Sequence, residues 1–308
     1  AGAAGRQILG KGHDPMYKTA VICDEISQDL TVAAGLAARY GLNGLEIRSV
    51  NERNPFQMTK EDFRFVRQVC DDHGLAICAV GSPLFKCRLD SETEYRQHLD
   101  GLARCIEAAH EWGTDIIRGF TFWKNGEGEA CFPRIADRYA RAIDLARDGG
   151  ITIVIESEPS VCTENMAMLH TFLTQLGSDR VAALFDPGNE VSDPACPPPY
   201  PDGYELLKPY IRHVHLKDAK STTGRDFYEP ALMGRGDVDF HGLLRRLKAD
   251  GYDGWVSIET HYRMKRAAFS ESELATPQGS GFSDGGYEAT QAYLDILRDE
   301  YDWMGEVK

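Results

Sequence analysis

The feature that most constrains this chain is an eightfold alternation of short apolar runs with longer amphipathic stretches. Strand-like runs lie at 19–24 (TAVICD), 44–48 (GLEIR), 75–81 (LAICAVG) and 115–120 (DIIRGF). Four more lie at 151–156 (ITIVIE), 181–186 (VAALFD), 211–217 (IRHVHLK) and 254–259 (GWVSIE). Short apolar runs bounded by turn residues read as buried strands, and the helical periodicity between them reads as crossover helices. The stretch 59–73 opens on Thr59 with Asp62 three positions on, a variant of the capping box, and a second helical stretch covers 91–112. Gly74 and Gly150 stand where helices hand over to strands. Eight βα units in succession predict a closed (β/α)8 TIM barrel with right-handed crossovers. A doubly wound open sheet is the alternative. Strand one, however, runs into Cys23-Asp24-Glu25-Ile26-Ser27, which is not a glycine-rich phosphate turn.

The length of 308 residues suits one such α/β domain, since barrels of roughly 250 residues and more form single domains. We expect an N-terminal tail over 1–18 and a catalytic barrel over 19–308. The chain opens Ala-Gly-Ala-Ala-Gly and has its first methionine at Met16, so 1–15 reads as a loose tail, a processed end or a cloning remnant. The Pro-rich stretch 194–201 and the stretch 262–286 read as long loops after strands six and eight. Both are expected to overhang the mouth where barrel active sites form.

Composition narrows the partners. With 42% hydrophobic and 27% charged residues the chain reads as an ordinary soluble globular protein. A net charge of −14 repels polyanions, so nucleic acid is not the expected partner. None of the eight cysteines forms a C-x-x-C pair, and Cys78 sits in Ile77-Cys78-Ala79-Val80 as a small buried hydrophobe. We therefore expect a reduced, cytoplasmic protein. No apolar run approaches the length of a membrane span, so no membrane partner is expected, and a homo-oligomer stays open.

Polar residues interrupt the apolar runs mainly at strand C-termini. Strand two ends in Glu46 and Arg48, strand four carries Arg118, and strand five ends in Glu156 with Glu158 two places on. Strand six ends in Asp186, strand seven carries His213, His215 and Lys217, and strand eight ends in Glu259. Because side chains alternate along a strand, 213, 215 and 217 share one face, with Lys217 above His215 and His213 below. Glu156, Asp186, His215 and Glu259 then converge on the barrel axis from four consecutive strands. Three carboxylates and an imidazole suit one divalent ion, Mn²⁺ foremost, with Co²⁺, Mg²⁺ or Zn²⁺ as alternatives. Singly, each has a plainer reading: a strand-end carboxylate as a loop acceptor, a strand histidine as a satisfied core residue. Four at one end are harder to dismiss.

The segments IVIESEPS, LFDPGNE, HVHLKD and VSIETHY resemble the xylose-isomerase-like TIM-barrel superfamily of sugar isomerases, epimerases, inosose dehydratases and apurinic-site endonucleases. The resemblance runs over about 19–300. It implies that Glu156, Asp186, His215 and Glu259 are the metal ligands, and that Lys217 lies near substrate. The endonucleases carry three zinc ions and more histidines. Here the corresponding positions look to be Asn189 and Tyr228, and strands three and four end in Gly81-Ser82-Pro83 and Gly119-Phe120. DNA repair is therefore disfavoured. Glu158 also departs from many relatives and reads as a second base, a partner for a sugar hydroxyl or an orienting group. His261 and Tyr262 read equally as substrate contacts or surface residues.

The preferred expectation is a metal-dependent isomerase or epimerase acting on a sugar or keto-polyol. The ion would polarise the carbonyl and stabilise an enediolate, with Glu156 and Glu259 as the proton-transfer pair. Glu46, Arg48, Arg118, Glu158 and Lys217 are the expected substrate contacts. Two alternatives are a lyase that loses a β-hydroxyl, with Lys217 or Glu158 protonating it, and a non-catalytic sugar-binding barrel. The last calls for a broken ligand set, and the set is intact. Arg48, Arg118 and Lys217 could neutralise a phosphate or carboxylate, but no glycine-rich cradle supports a phosphorylated substrate.

Overall fold

The computed structural model describes residues 17–191, 196–222, 228–265, 269–301 and 303. Its strands are β1 (Lys18–Ile22), β2 (Gly44–Ile47), β3 (Ala76–Leu84), β4 (Ile116–Gly119) and β5 (Thr152–Glu156). They continue with β6 (Val181–Phe185), β7 (Ile211–Leu216), the short pair β8 (Asp218–Lys220) and β9 (Glu229–Ala231), and β10 (Trp255–Ile258). The helices are α1 (Cys23–Ile26), α2 (Leu30–Arg39), α3 (Lys60–Asp72), α4 (Glu92–Trp112), α5 (Phe132–Asp148) and α6 (Met166–Leu176). Then come α7 (Pro187–Glu190), α8 (Tyr204–Leu207), α9 (Phe240–Ala249), α10 (Glu271–Ala275), α11 (Gly279–Ser283) and α12 (Gly286–Glu300).

Eight parallel strands close into a barrel in the order β1-β10-β7-β6-β5-β4-β3-β2, while β8 and β9 form a separate antiparallel pair. All eight expected strands are present. The first is shorter than TAVICD suggests, because Cys23 and Asp24 already belong to α1. β1 in turn starts at Lys18, which pairs with Trp255 one residue inside the expected tail. The reading of 1–15 falls outside the described residues.

Local chemistry explains the element ends. Thr59 caps α3 in a reciprocal box with Asp62, the shorter carboxylate reaching the cap backbone as Glu ordinarily does. Gly74, at φ +68°, then turns the chain into β3 in a conformation that a Cβ disfavours. The stretch 262–286 is not a bare loop: it holds α10 and α11, and Ser270 starts α10 with its own capping box to Glu273. Residues 275–278 line the cavity above the barrel mouth. No described residue of 196–203 lines that cavity, and 199–203 packs against α6, α7 and α9.

Two apolar layers hold the fold. The larger lies between strands and helices, where Phe85, Trp112, Phe132, Tyr139 and Phe172 are fully buried. The smaller fills the barrel interior with Ala20, Cys78, Ala79, Ile116, Val154, Ala182 and Leu184. This inner layer sets the site. Two residues beyond Ile116, Val154 and Leu184 come Arg118, Glu156 and Asp186, so alternation sends them inward one pleat nearer the mouth.

Candidate active site

Each strand of the second half delivers one group to the axis. Glu156 ends β5, Asp186 follows β6, His215 lies in β7 and Glu259 follows β10. One ligand atom from each lies within 4.8 Å of the other three, and all four residues are buried. His215 Nδ1 stands 3.4 Å from Glu259 Oε2 and 3.6 Å from Asp186 Oδ2. It makes no hydrogen bond among the described residues. A buried imidazole nitrogen without a partner, facing three carboxylates, fits a cation site by its donor set.

The other face of His215 is fixed from below. Glu46 Oε2 lies 2.9 Å from His213 Nε2 and 3.1 Å from His215 Nε2. Burial opposes ionisation of Glu46, yet His215 and His213 hold its carboxyl well below the usual range. As a carboxylate it only accepts, so both Nε2 atoms carry protons and Nδ1 of His215 is left toward the cluster. The structure thus sets Glu46 on the floor with the two histidines. His213 is fully buried, and burial pushes its pKa down.

Cations crowd the carboxylates. Lys217 Nζ lies 2.6 Å from Asp186 Oδ2, 2.7 Å from Glu259 Oε2 and 4.0 Å from Glu156 Oε1. Burial disfavours this ammonium, but Asp186 and Glu259 hold its pKa well above the ordinary lysine value. Arg48 bridges Asp24, Glu25 and Glu259 at 2.9, 2.8 and 2.8 Å. Arg118 reaches Glu156 at 3.2 Å and Glu259 at 3.7 Å. Burial works against ionisation of Glu259, which Lys217, His261 and His215 nevertheless keep well below the usual carboxylate range. Burial and Glu259 push Glu156 upward, and Arg118, Lys217 and His215 outweigh them. Asp186 is raised, chiefly by burial.

The turn after β6 shows how closely sequence and site are tied. Asp186 caps α7 through Oδ1, which accepts from the backbone N–H of Gly188 and Asn189 at 2.9 and 3.3 Å. Its Oδ2 remains for the cluster. A Cβ on Gly188 would meet the Lys217 carbonyl oxygen at 2.5 Å, so only glycine lets the turn pass this near β7. Asn189 then donates to Glu156 Oε1 at 2.8 Å.

Of the remaining expected residues, Glu158 lies at the mouth, paired at 2.9 Å with Lys86 Nζ, which also donates to the Ala275 carbonyl, while Ser160 donates to Glu158. His261 is buried, with Nε2 3.3 Å from Glu259 Oε1 and Nδ1 3.1 Å from the Tyr228 hydroxyl. It adopts φ +44°, a costly backbone state for a residue other than glycine. Tyr262 is partly exposed beside it. Lys86 escaped sequence reasoning because it sits in the loop after β3, with no alternation to mark it. Asp24 and Glu25 follow the same strand-end pattern as the ligands, and that signal could have singled them out.

Comparison with known proteins places the barrel in a family. Residues 34–283 match the family described as xylose isomerase-like TIM barrel. An inosose dehydratase of Lacticaseibacillus casei is 24% identical over 170 residues, 48% of this chain, and the chain spans just 56% of that relative's length. The inosose dehydratase of Klebsiella pneumoniae subsp. pneumoniae is 24% identical over 247 residues, covering 72% of this chain and 79% of that protein. Among solved structures, a probable 3-DHS dehydratase from Bacillus anthracis superposes with a TM-score of 0.69 at 16% identity, covering 92% of this chain and 99% of that one. A D-allulose 3-epimerase from Methylomonas sp. in complex with D-allulose gives 0.68 at 16% identity, covering 94% and 99%. At such identities the structural likeness speaks for the fold. The family pattern, in contrast, runs through most of the barrel, and the chain belongs to the xylose isomerase-like TIM-barrel family.

Proposed function

We propose that this chain is a divalent-metal-dependent enzyme that removes the proton beside the carbonyl of a polyol ketone and then expels a β-hydroxyl as water. The observation that carries the reading is the cluster of Glu156, Asp186, His215 and Glu259, with the His215 Nδ1 atom buried and facing the carboxylates. These four residues would hold the ion, which when bound supplies Lewis-acid charge at the substrate carbonyl. Mn²⁺ heads the candidates for this oxygen-rich set, before Co²⁺, Mg²⁺ and Zn²⁺.

The chain's own residues do the rest. Glu156 or Glu259 takes the α-proton as general base; both stay ionised in this surrounding. Lys217 and Arg118 lie beside both carboxylates and offset the negative charge that develops on the substrate. In the elimination the C–H electron pair becomes the new C=C bond, the β C–O bond breaks, and the leaving hydroxide takes a proton. Glu158 at the mouth, whose pKa burial raises against the pull of Lys86, is the acid for that step in its protonated form. The sequence relatives above, which are inosose dehydratases, favour elimination.

A second reading is isomerisation or epimerisation, favoured by the presence of two glutamates, Glu156 and Glu259, in one cluster. One would remove the proton and the other return it. A single experiment separates the two readings: unmodified ketoses, ketose phosphates, keto-inositols and keto-acids are incubated with Mn²⁺-supplemented protein in D₂O, and products are read by mass and NMR. Elimination gives a product lighter by one water, whereas isomerisation conserves the skeleton and places deuterium at the α-carbon. Turnover without either signature would reject α-proton removal altogether.

A further inference from the structure

Above the cluster lies a cavity of about 80 Å³ whose walls carry Arg48, Lys86 and Arg118, completed by Asn54, Gly81, Pro83 and residues 275–278. No carboxylate is among its described lining residues, although the chain carries a net charge of −14. The three cations are not equally engaged. Arg48 spends Nε, NH1 and NH2 on Asp24, Glu259 and Glu25. Lys86 gives two of its three N–H groups to Glu158 and the Ala275 carbonyl.

Arg118 is the open one. Its carboxylate contacts run through NH1 alone, and its Nε is buried with no hydrogen bond among the described residues. Its two carboxylate partners, Glu156 and Glu259, are also proposed ion ligands, so an ion held there draws on the oxygens that now balance Arg118. Phe120 gives no compensating charge: its ring lies 4.1 Å from Lys86 Nζ and 5.2 Å from Arg118 Cζ. An unpaired guanidinium donor inside a buried site is costly, and a planar fork of donors matches an oxyanion better than a hydroxyl.

We propose that this cavity is an oxyanion subsite, and that the substrate is a polyol ketone bearing a carboxylate or phosphate group next to Arg118. This rests on the polyol-ketone reading above and narrows its substrate class. Lys86 replaces Lys217 in the expected basic set, since Lys217 Nζ is directed at Asp186 and Glu259.

The test uses three probes with one carbon skeleton: D-glucitol, D-gluconate and D-glucitol 6-phosphate. Each is titrated calorimetrically into the full chain, metal-free and Mn²⁺-supplemented, so that coordination of gluconate by the ion is separated from binding to the cavity. At least one anion should bind at least about tenfold more tightly than glucitol, the loss typical of removing a charged hydrogen bond. The tighter anion identifies the source as carboxylate or phosphate. Arg118→Gln and Lys86→Gln, each with measured metal content, should reduce the preference below about threefold, and Arg118→Lys should recover part of it. Equal binding of all three probes, no binding of either anion, or a preference that survives both glutamine variants overturns the subsite. Failure of α-proton removal in D₂O, by contrast, leaves this binding preference intact.

Discussion

At the scale of single residues, two neighbouring histidines divide the labour. His213 and His215 share an inward face and the same Glu46 oxygen, yet His215 alone presents Nδ1 to the carboxylates. His215→Ala should lose the ion while the barrel still folds. His213→Ala should keep it and lose about 1–3 kcal/mol of stability, the cost of disturbing a buried polar pair. Metal content and denaturant midpoints measured on the same samples decide this. Metal loss in His213→Ala with retention in His215→Ala would mean that the ligand lies one pleat lower. Glu46→Gln keeps the shape of the side chain but can donate as well as accept, so it should weaken the ion through the His215 tautomer. A tenfold or greater loss of affinity, in line with such supporting shells, is the expected reading from a Mn²⁺ titration.

The sequence exposes these residues unevenly, and the reason is physical. Glu156, Asp186, His215 and Glu259 are legible because alternation fixes which face of a strand a residue takes, and an ionisable group breaking an apolar run shows in one dimension. Arg48 was visible at a strand end, but its bridge to Asp24, Glu25 and Glu259 joins residues up to 211 positions apart. No local pattern encodes such a bridge. Lys86 is harder still, since its partners Glu158 and Ala275 come from the turn after β5 and from the end of α10.

At the scale of elements, the eight strands were legible to within a few residues because buried parallel strands read as apolar runs. The ends were less so: Cys23 continues the apolar run of β1, yet with Asp24 it folds into α1, where Ser27 N–H bonds back to the Cys23 carbonyl. The segment after β10 reads as irregular chain in the sequence because α10 and α11 have five residues each, too short for periodicity to register. The β6–α7 turn gives the element-scale prediction. Gly188→Ala drives a methyl group against the Lys217 carbonyl and side chain, so the turn and β7 must move apart. We expect a loss of about 1–3 kcal/mol, as for overpacking elsewhere, together with weaker ion binding because Asp186 is carried by the same turn. Thermal unfolding with and without Mn²⁺ measures both. An unchanged midpoint and unchanged ion shift would show that the turn is looser than the structure has it.

At the scale of the molecule, closure of the barrel is what turns four unremarkable strand ends into a site. Separately, Glu156, Asp186, His215 and Glu259 are strand-end groups with plain alternatives. Ring closure β1-β10-β7 brings β10 beside β7 and sets Glu259 against His215 and Lys217. Among the described residues no helix is long and apolar enough to cross a membrane. We propose that these strand ends form one divalent-cation site. Its most direct test is the number of Mn²⁺ ions bound per chain at equilibrium, read by elemental analysis after removal of free metal. One ion per chain is expected for the native sequence, and close to none for His215→Ala or for Asp186→Asn with Glu259→Gln. A native protein that binds no divalent ion, or one whose ion survives both of those variants, would contradict it.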